Sequence, residues 1–163
     1  MKPTLWPFMA LLVVMSFSCS TDSIEEDKAD ELISSYIPET KLEEVEILDL
    51  INTYRDSKGL SQLTYMSTIK AVAFSHTDYM IRNNEVSHAN FFKRKESLEK
   101  NVGAKSVSEN VAFAFRTPES VVNAWINSDG HRDTIEGDFT HFDISMEQDD
   151  NGRWFYTNIF IKK

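Results

Sequence analysis

Apolar residues recur at helical spacing between Lys41 and Lys58: Leu42, Val45, Leu48 and Ile51, with Ile47 and Tyr54 alongside. That stripe predicts an amphipathic helix stopped by Gly59, with Leu60 and Leu63 folding the next segment onto the core. Asn52 and Arg55 within it read as a hydrogen-bonding residue and a surface pair. A second helix is predicted from Thr68 to Asn83, with Ser67 as N-cap and Ile69, Val72, Ala73, His76 and Met80 on one face. His76 reads there as a packed, satisfied core histidine. Charge then takes over, and Lys93 to Lys100 predicts a short exposed helix or loop broken at Gly103-Ala104. Glu109 to Phe115 is an apolar run predicted to be extended. Thr117 as N-cap and Pro118 as first helical residue open a third helix, with Val121, Val122, Trp125 and Ser128 inward and Gly130 as its end. Two strands close the chain, Phe139 to Gln148 and Arg153 to Ile161, joined by the turn signal Asp149-Asp150-Asn151-Gly152. The aromatic group Trp154, Phe155, Tyr156 and Phe160 reads as core. Helices flanking one small antiparallel sheet give an α+β domain, a three-layer α/β/α sandwich.

The first residues follow another pattern. Met1-Lys2 is a short basic start, and Leu5 to Phe17 is an apolar run of 13 residues. A spanning helix needs roughly 20 apolar residues, so this run reads as a signal peptide over residues 1–18. Cys19, the only cysteine, follows directly. Its position resembles a bacterial lipobox, which implies a lipid on Cys19 and a membrane anchor; simple secretion is the alternative. Residues 19–40 then form a lipidated start and acidic tether, with Asp22, Glu25, Glu26, Asp27 and Asp30 against Lys28 alone between Ser20 and Asp30. So little apolar content cannot offset ordering entropy. The domain proper is residues 41–163.

Composition changes the picture in two ways. The formal charge is −9, with no basic stripe, which argues against nucleic acid as a partner. No cysteine beyond Cys19 remains for an internal disulfide, so stability rests on packing.

Three polar islands interrupt the apolar half: Ser87-His88, Ser108-Glu109-Asn110-Val111-Ala112, and Trp125 to Arg132, which holds Ser128 and Gly130-His131-Arg132. His88, Glu109 and His131 stand 21 and 22 residues apart, each where a predicted element ends. Such residues project from a scaffold into a shared cleft. Imidazole serves as metal ligand or as acid and base near neutrality, and a glutamate that accepts its N–H fixes the tautomer. The trio therefore suits a zinc site with His88 and His131 as ligands, an acid/base pair, or a plain buried polar network. As one network it would give non-additive losses in paired alanine variants. Ser128 as a nucleophile activated by His131 is disfavoured, since no third residue is assignable. His141 reads as surface or packing.

These islands, in this order and with Asn52-x-x-Arg55 before Gly59-Leu60, resemble the CAP superfamily, the SCP/PR-1-like domain of cysteine-rich secretory proteins and of bacterial YkwD-like lipoproteins. The resemblance covers roughly residues 44 to 161. It implies the α/β/α sandwich and a signature cleft of two histidines and two acids, matched here by His88, Glu109 and His131. Asn110 and Ser128 are the supporting residues. There are departures. Ser108 replaces the usual glycine before Glu109, Ser128 stands where animal and plant members carry the second acid, and Thr134-Ile135 and Asp143-Ile144-Ser145 also drift from the bacterial pattern. The family has no single chemistry. The reading preferred is a binding module on the cell envelope, lipid-anchored to the outer membrane on the periplasmic or outer side, with a protein, glycan or lipid as ligand. The alternative is a weak zinc-dependent hydrolase or peptidase using the same cleft.

Overall fold

A computed structural model describes residues 36–163 of the chain. The expected signal peptide over residues 1–18, Cys19 and the acidic stretch from Ser20 to Asp30 lie outside the described residues. The described elements run α1 (Leu42–Ser57), β1 (Thr64–Tyr65), α2 (Ser67–Asn83), α3 (Phe91–Val102), β2 (Ser106–Phe113), α4 (Pro118–Ile126), α5 (Asp129–Glu136), β3 (His141–Gln148) and β4 (Trp154–Lys162). The strands form one sheet in the order β1-β3-β4-β2. The hairpin β3–β4 and the pair β2–β4 are antiparallel, as expected, but β1 joins β3 in parallel, so the sheet is mixed.

Strand alternation sorts the core onto two faces. Phe142, Ile144 and Met146 of β3 and Tyr156 and Phe160 of β4 pack with Ile47, Leu48, Ile51, Val122, Trp125 and Ile135 from α1, α4 and α5. On the other face Ile159 and Ile161 of β4 meet Ile69, Val72 and Ala73 of α2 and Leu98 of α3. The three layers are thus α1/α4/α5, sheet, α2/α3.

Four local expectations are corrected. Gly130 does not end the third helix. α4 stops at Ile126 with Asn127 as C-cap, Ser128 takes the N-cap position of a separate helix, and Gly130 is the second residue of that α5. Lys93 to Lys100 is helical, one of the two forms expected, but it is not simply exposed: α3 runs for 12 residues and its inner side buries Arg94, Ser97 and Leu98. Arg55 is not a surface pair. It is buried and donates to the carbonyls of Ser61 (2.9 Å), Ile135 (2.6 Å) and Gly137 (2.9 Å), while Asn52 makes its expected hydrogen bonds, both to the backbone of Leu63. Finally, Met66 rather than Ser67 is the N-cap of α2. The N-cap and Pro assignments at Thr117 and Pro118 hold, with Thr117 Oγ1 accepting the Ser120 N–H at 3.2 Å.

The outer edge of β3 is closed by side chains where β1 runs out. Asp143 Oδ1 accepts the Ile144 N–H (2.9 Å), Lys70 Nζ donates to the Ile144 carbonyl (3.2 Å), and Glu44 Oε1 accepts the Met146 N–H (2.9 Å). Lys70 and Glu44 are fully buried and paired with each other. Burial pushes the Asp143 carboxyl up to about 6, against the pull of the Ile144 N–H and of Lys70.

Candidate functional site

His88 sits on the link between α2 and α3. Asn84 and Asn90, both at positive φ (48° and 58°), turn the chain at either end of that link, a conformation asparagine tolerates better than most residues. The turn presents the Ser87 carbonyl to His76 of α2, whose Nε2 lies 2.8 Å away. It also points the His88 imidazole at the sheet. Its Nδ1 meets Glu109 Oε1 at 2.9 Å, while the side chain keeps 52% of its surface exposed.

Glu109 is buried, and both of its oxygens are taken. Arg94 grips it with two parallel hydrogen bonds, Nε to Oε2 (2.9 Å) and Nη2 to Oε1 (2.8 Å), and uses Nη1 on the Ala89 carbonyl (2.6 Å). Such a planar fork is the strong form of a carboxylate pair. Burial alone raises the Glu109 pKa, but the His88 hydrogen bond and the Arg94 charge and hydrogen bonds outweigh it, so the group stays below its ordinary value. An ionised Glu109 can only accept, so His88 donates from Nδ1 and presents Nε2 outward. His76 Nε2 stands 3.8 Å from Glu109 Oε1, beyond hydrogen-bond range. Burial holds the His76 pKa down, and the ring is predominantly neutral near pH 7.

His131 comes from the other layer. It is the third residue of α5; its Nδ1 lies 2.9 Å from Ser128 Oγ and its carbonyl accepts from Asn110 Nδ2 at 3.0 Å. Ser108 Oγ and Thr134 Oγ1 are 3.3 Å apart on the same side. Adjacent residues of a strand face opposite ways, so Glu109 serves the α2/α3 layer and Asn110 serves α5. The edge strand β2 lies between two imidazoles, one on each wall. Burial lowers the His131 pKa, and the nearby His88 lowers it further.

His88 and Glu109 are therefore joined directly, and Ser128 and Asn110 attend His131. His131 hydrogen-bonds neither His88 nor Glu109, so the hydrogen bonds form two groups on opposite sides of β2, with His88 and His131 coupled through charge alone. His141 stands apart, with its Nδ1 2.9 Å from Thr140 Oγ1. Arg94 and His76 were missed as site residues. Phe91, Arg94 and Leu98 do fall at helical offsets of 3 and 4, which was the available signal for Arg94.

The donor set does not suit a resident catalytic zinc. Such a site takes three protein ligands, and here Glu109 is consumed by Arg94 and His88; among the described residues no group of three His, Cys, Asp or Glu could hold a metal ion. A separate open groove of about 250 Å³ runs between α1 and α4, lined by Leu50, Tyr54, Val122 and Ile126 among others, away from both histidines.

The chain is 34% identical over 124 residues to the uncharacterized membrane protein YlbC of Bacillus subtilis, a match covering 74% of this chain and 34% of that protein. It is 31% identical over 124 residues to the uncharacterized protein YkwD of the same organism, covering 74% and 47%. The chain thus spans from a third to about half the length of these curated relatives. An extracellular protein from Bacillus anthracis containing an SCP domain superposes with a TM-score of 0.66 at 28% identity, over 74% of this chain and 40% of that one. An outer surface protein of Borrelia burgdorferi shares the fold with a TM-score of 0.69 at 20% identity, over 78% and 98%. The family model described as cysteine-rich secretory protein family, CAP, matches residues 48–160. This chain belongs to the cysteine-rich secretory protein family.

Proposed function

We propose that this protein is a binding module of the cell envelope that engages its ligand across the β2 edge, through His88 and His131. The observation that carries the reading is the way Glu109 is committed. Its two oxygens hold Arg94 and His88, which locks one tautomer of His88 and aims a half-exposed ring nitrogen outward. A carboxylate so engaged orients a recognition group; it is poorly placed to take a proton from a substrate. Ser128 meets only Nδ1 of a histidine three residues on, a contact that suits a helix start better than an activated nucleophile. The zinc-dependent hydrolase is the second reading, and the shortage of ligands weighs against it.

The envelope assignment draws on the apolar run before Cys19 and on relatives described as a membrane protein and an extracellular protein. A lipid on Cys19 would hold the domain at the membrane, with the acidic stretch as spacer.

The test is a thermal-shift and calorimetric screen of the protein against peptidoglycan fragments, phospholipid vesicles and peptides, with His88→Ala and His131→Ala beside it. A ligand whose affinity falls about ten-fold or more in both variants, a loss near 1.4 kcal/mol each, is the expected result. Ligands held equally well by all three proteins would overturn the site.

A further inference from the structure

The groove between α1 and α4 has two matching walls. From α1 come Leu50, Thr53, Tyr54 and Ser57, and from α4 come Glu119, Val122, Asn123 and Ile126. Each set is spaced i, i+3, i+4 and i+7, which is one face of a helix. The groove of about 250 Å³ is therefore a channel between two helical ridges. Its floor is apolar and held in place, because Val122 belongs to the core and Leu50, Tyr54 and Ile126 pack against it. The α1 wall continues toward the N-terminus through exposed Glu46 to Leu42, which is 85% exposed.

The two ends of the channel differ in charge. At one end the side chains of Glu46 and Glu119 meet, with Glu43 in the turn before them, and all three are exposed. At the other end cations and acids are interleaved. Lys58 Nζ lies 5.1 Å from the centroid of the Tyr54 ring, and Glu136 accepts the Tyr54 hydroxyl at 2.6 Å. Arg132 donates to the Ile126 carbonyl (3.2 Å) and to Asp129 (2.7 Å). One end is thus acidic and the other balanced. Glu46 meets Glu119 near the starts of the helices, and Tyr54 meets the Arg132 charge near their ends. The helices α1 and α4 therefore run in the same direction, with both N-termini toward the acidic end.

We propose that the α1/α4 groove receives an amphipathic helix of a partner protein, with a basic turn of that helix seated over Glu46 and Glu119. This surface is separate from the histidine cleft and acts with or without it. Two walls of the same helical repeat accept the side chains of a third helix, whose apolar residues recur at the same spacing. Charge complementarity sets its direction. A partner antiparallel to α1 and α4 brings its C-terminal turn to their N-termini, and lysine or arginine in that turn suits both its own dipole and the acidic pair. Leu42, beyond that pair, gives the same turn an apolar contact. An acyl chain would fill the floor equally well, but its carboxylate would meet like charge at one end and an arginine already paired with Asp129 at the other.

The experiment selects, on the intact protein, a displayed library of helix-forming peptides. Their apolar positions follow the i, i+3, i+4, i+7 repeat, and their remaining positions vary between lysine and glutamate. Enriched peptides are then measured against wild type, Ile126→Glu, the double reversal Glu46→Lys/Glu119→Lys, and His88→Ala. Expected are peptides with lysine in the last turn that lose about ten-fold or more in affinity with Ile126→Glu and with the double reversal, and keep it with His88→Ala. A proline in the middle of such a peptide should abolish binding, because the bound form is helical. Glu46 and Glu119 are exposed, so the double reversal keeps the test sound if Ile126→Glu fails to fold. No enriched peptide, enrichment without lysine at that end, or affinity indifferent to the double reversal would overturn the helix site. Peptides weakened by His88→Ala alone would bind the cleft and overturn the groove. Saturable binding of palmitate that is lost in Ile126→Glu, with no peptide enriched, would give the groove to an acyl chain and overturn the proposal as well.

Discussion

At the scale of single residues, Arg94 decides how the site behaves. It is the buried counter-charge of Glu109, and removing it leaves an ionised carboxylate in the interior. Uncompensated buried charges of this kind cost about 3–5 kcal/mol. Arg94→Ala should therefore destabilise by that order in urea unfolding, and the Arg94/Glu109 double-mutant cycle should show coupling of roughly 0.5–3 kcal/mol. The cycle between Glu109 and His131 should be additive within about 0.5 kcal/mol, since they share no hydrogen-bond partner. Strong Glu109–His131 coupling would instead favour a single polar network, one of the readings the sequence leaves open. His76 belongs beside Arg94 in this account: neutral and buried, it holds the Ser87 carbonyl and so sets the height of His88 above the sheet.

At the scale of elements, the helix after Trp125 shows what a sequence pattern can and cannot say. A glycine just past a helical stripe reads as a stop, and that is the expectation for Gly130. In the structure Ser128 restarts the chain as a new helix, and Gly130 lies inside its first turn at ordinary helical φ, with nothing within 4 Å of the place a Cβ would occupy. Gly130→Ala should thus stabilise by about 0.5–1 kcal/mol; a true C′ glycine at positive φ would make the same change destabilising. Thermal unfolding distinguishes the two. The long periodic stretches, α1, α2 and the β3–β4 hairpin, were legible because burial of one whole face fixes many positions at once. Two elements were misread because short-range cues hid their partners. Lys93 to Lys100 looks solvated, yet one arginine in it turns inward to a carboxylate on β2. The extended segment is expected to begin at Glu109, yet β2 starts three residues earlier, at the polar Ser106. Of the candidate site, the positions of His88, Glu109 and His131 were legible, whereas Arg94, His76 and the split between the two layers were not. Those depend on strand parity and cross-layer contacts that no local window contains.

At the scale of the whole molecule, stability responds to pH through opposing groups. Glu109 has a depressed pKa, so its contribution is present above the ordinary glutamate value and is lost as the pH falls through its folded value. The depressed His76 acts in the same direction, because the unfolded chain takes up its proton first as the pH falls below 6.5. Asp143 acts the other way. Its folded pKa of about 6 lies above the usual 3.8, so the folded state is favoured at low pH and penalised as the pH rises from about 4 to 6. Asp143→Asn mimics the protonated acid and keeps an acceptor for the Ile144 N–H. Its stability relative to wild type should improve between pH 4 and pH 7 by up to about 3 kcal/mol, read from denaturant melts at each pH. A flat difference would show that the carboxyl is not held near that value.

Because Glu109 and Asn110 serve opposite layers from neighbouring positions, the number of residues in β2 is fixed more tightly than their identity. Losing or gaining one residue between Ser106 and Ser108 would rotate the carboxylate toward α5 and deliver the amide to Arg94, stranding a guanidinium without its counter-ion. Insertions should therefore be tolerated in the segments that enter and leave this strand, and within it single-residue length changes should be lethal to the fold.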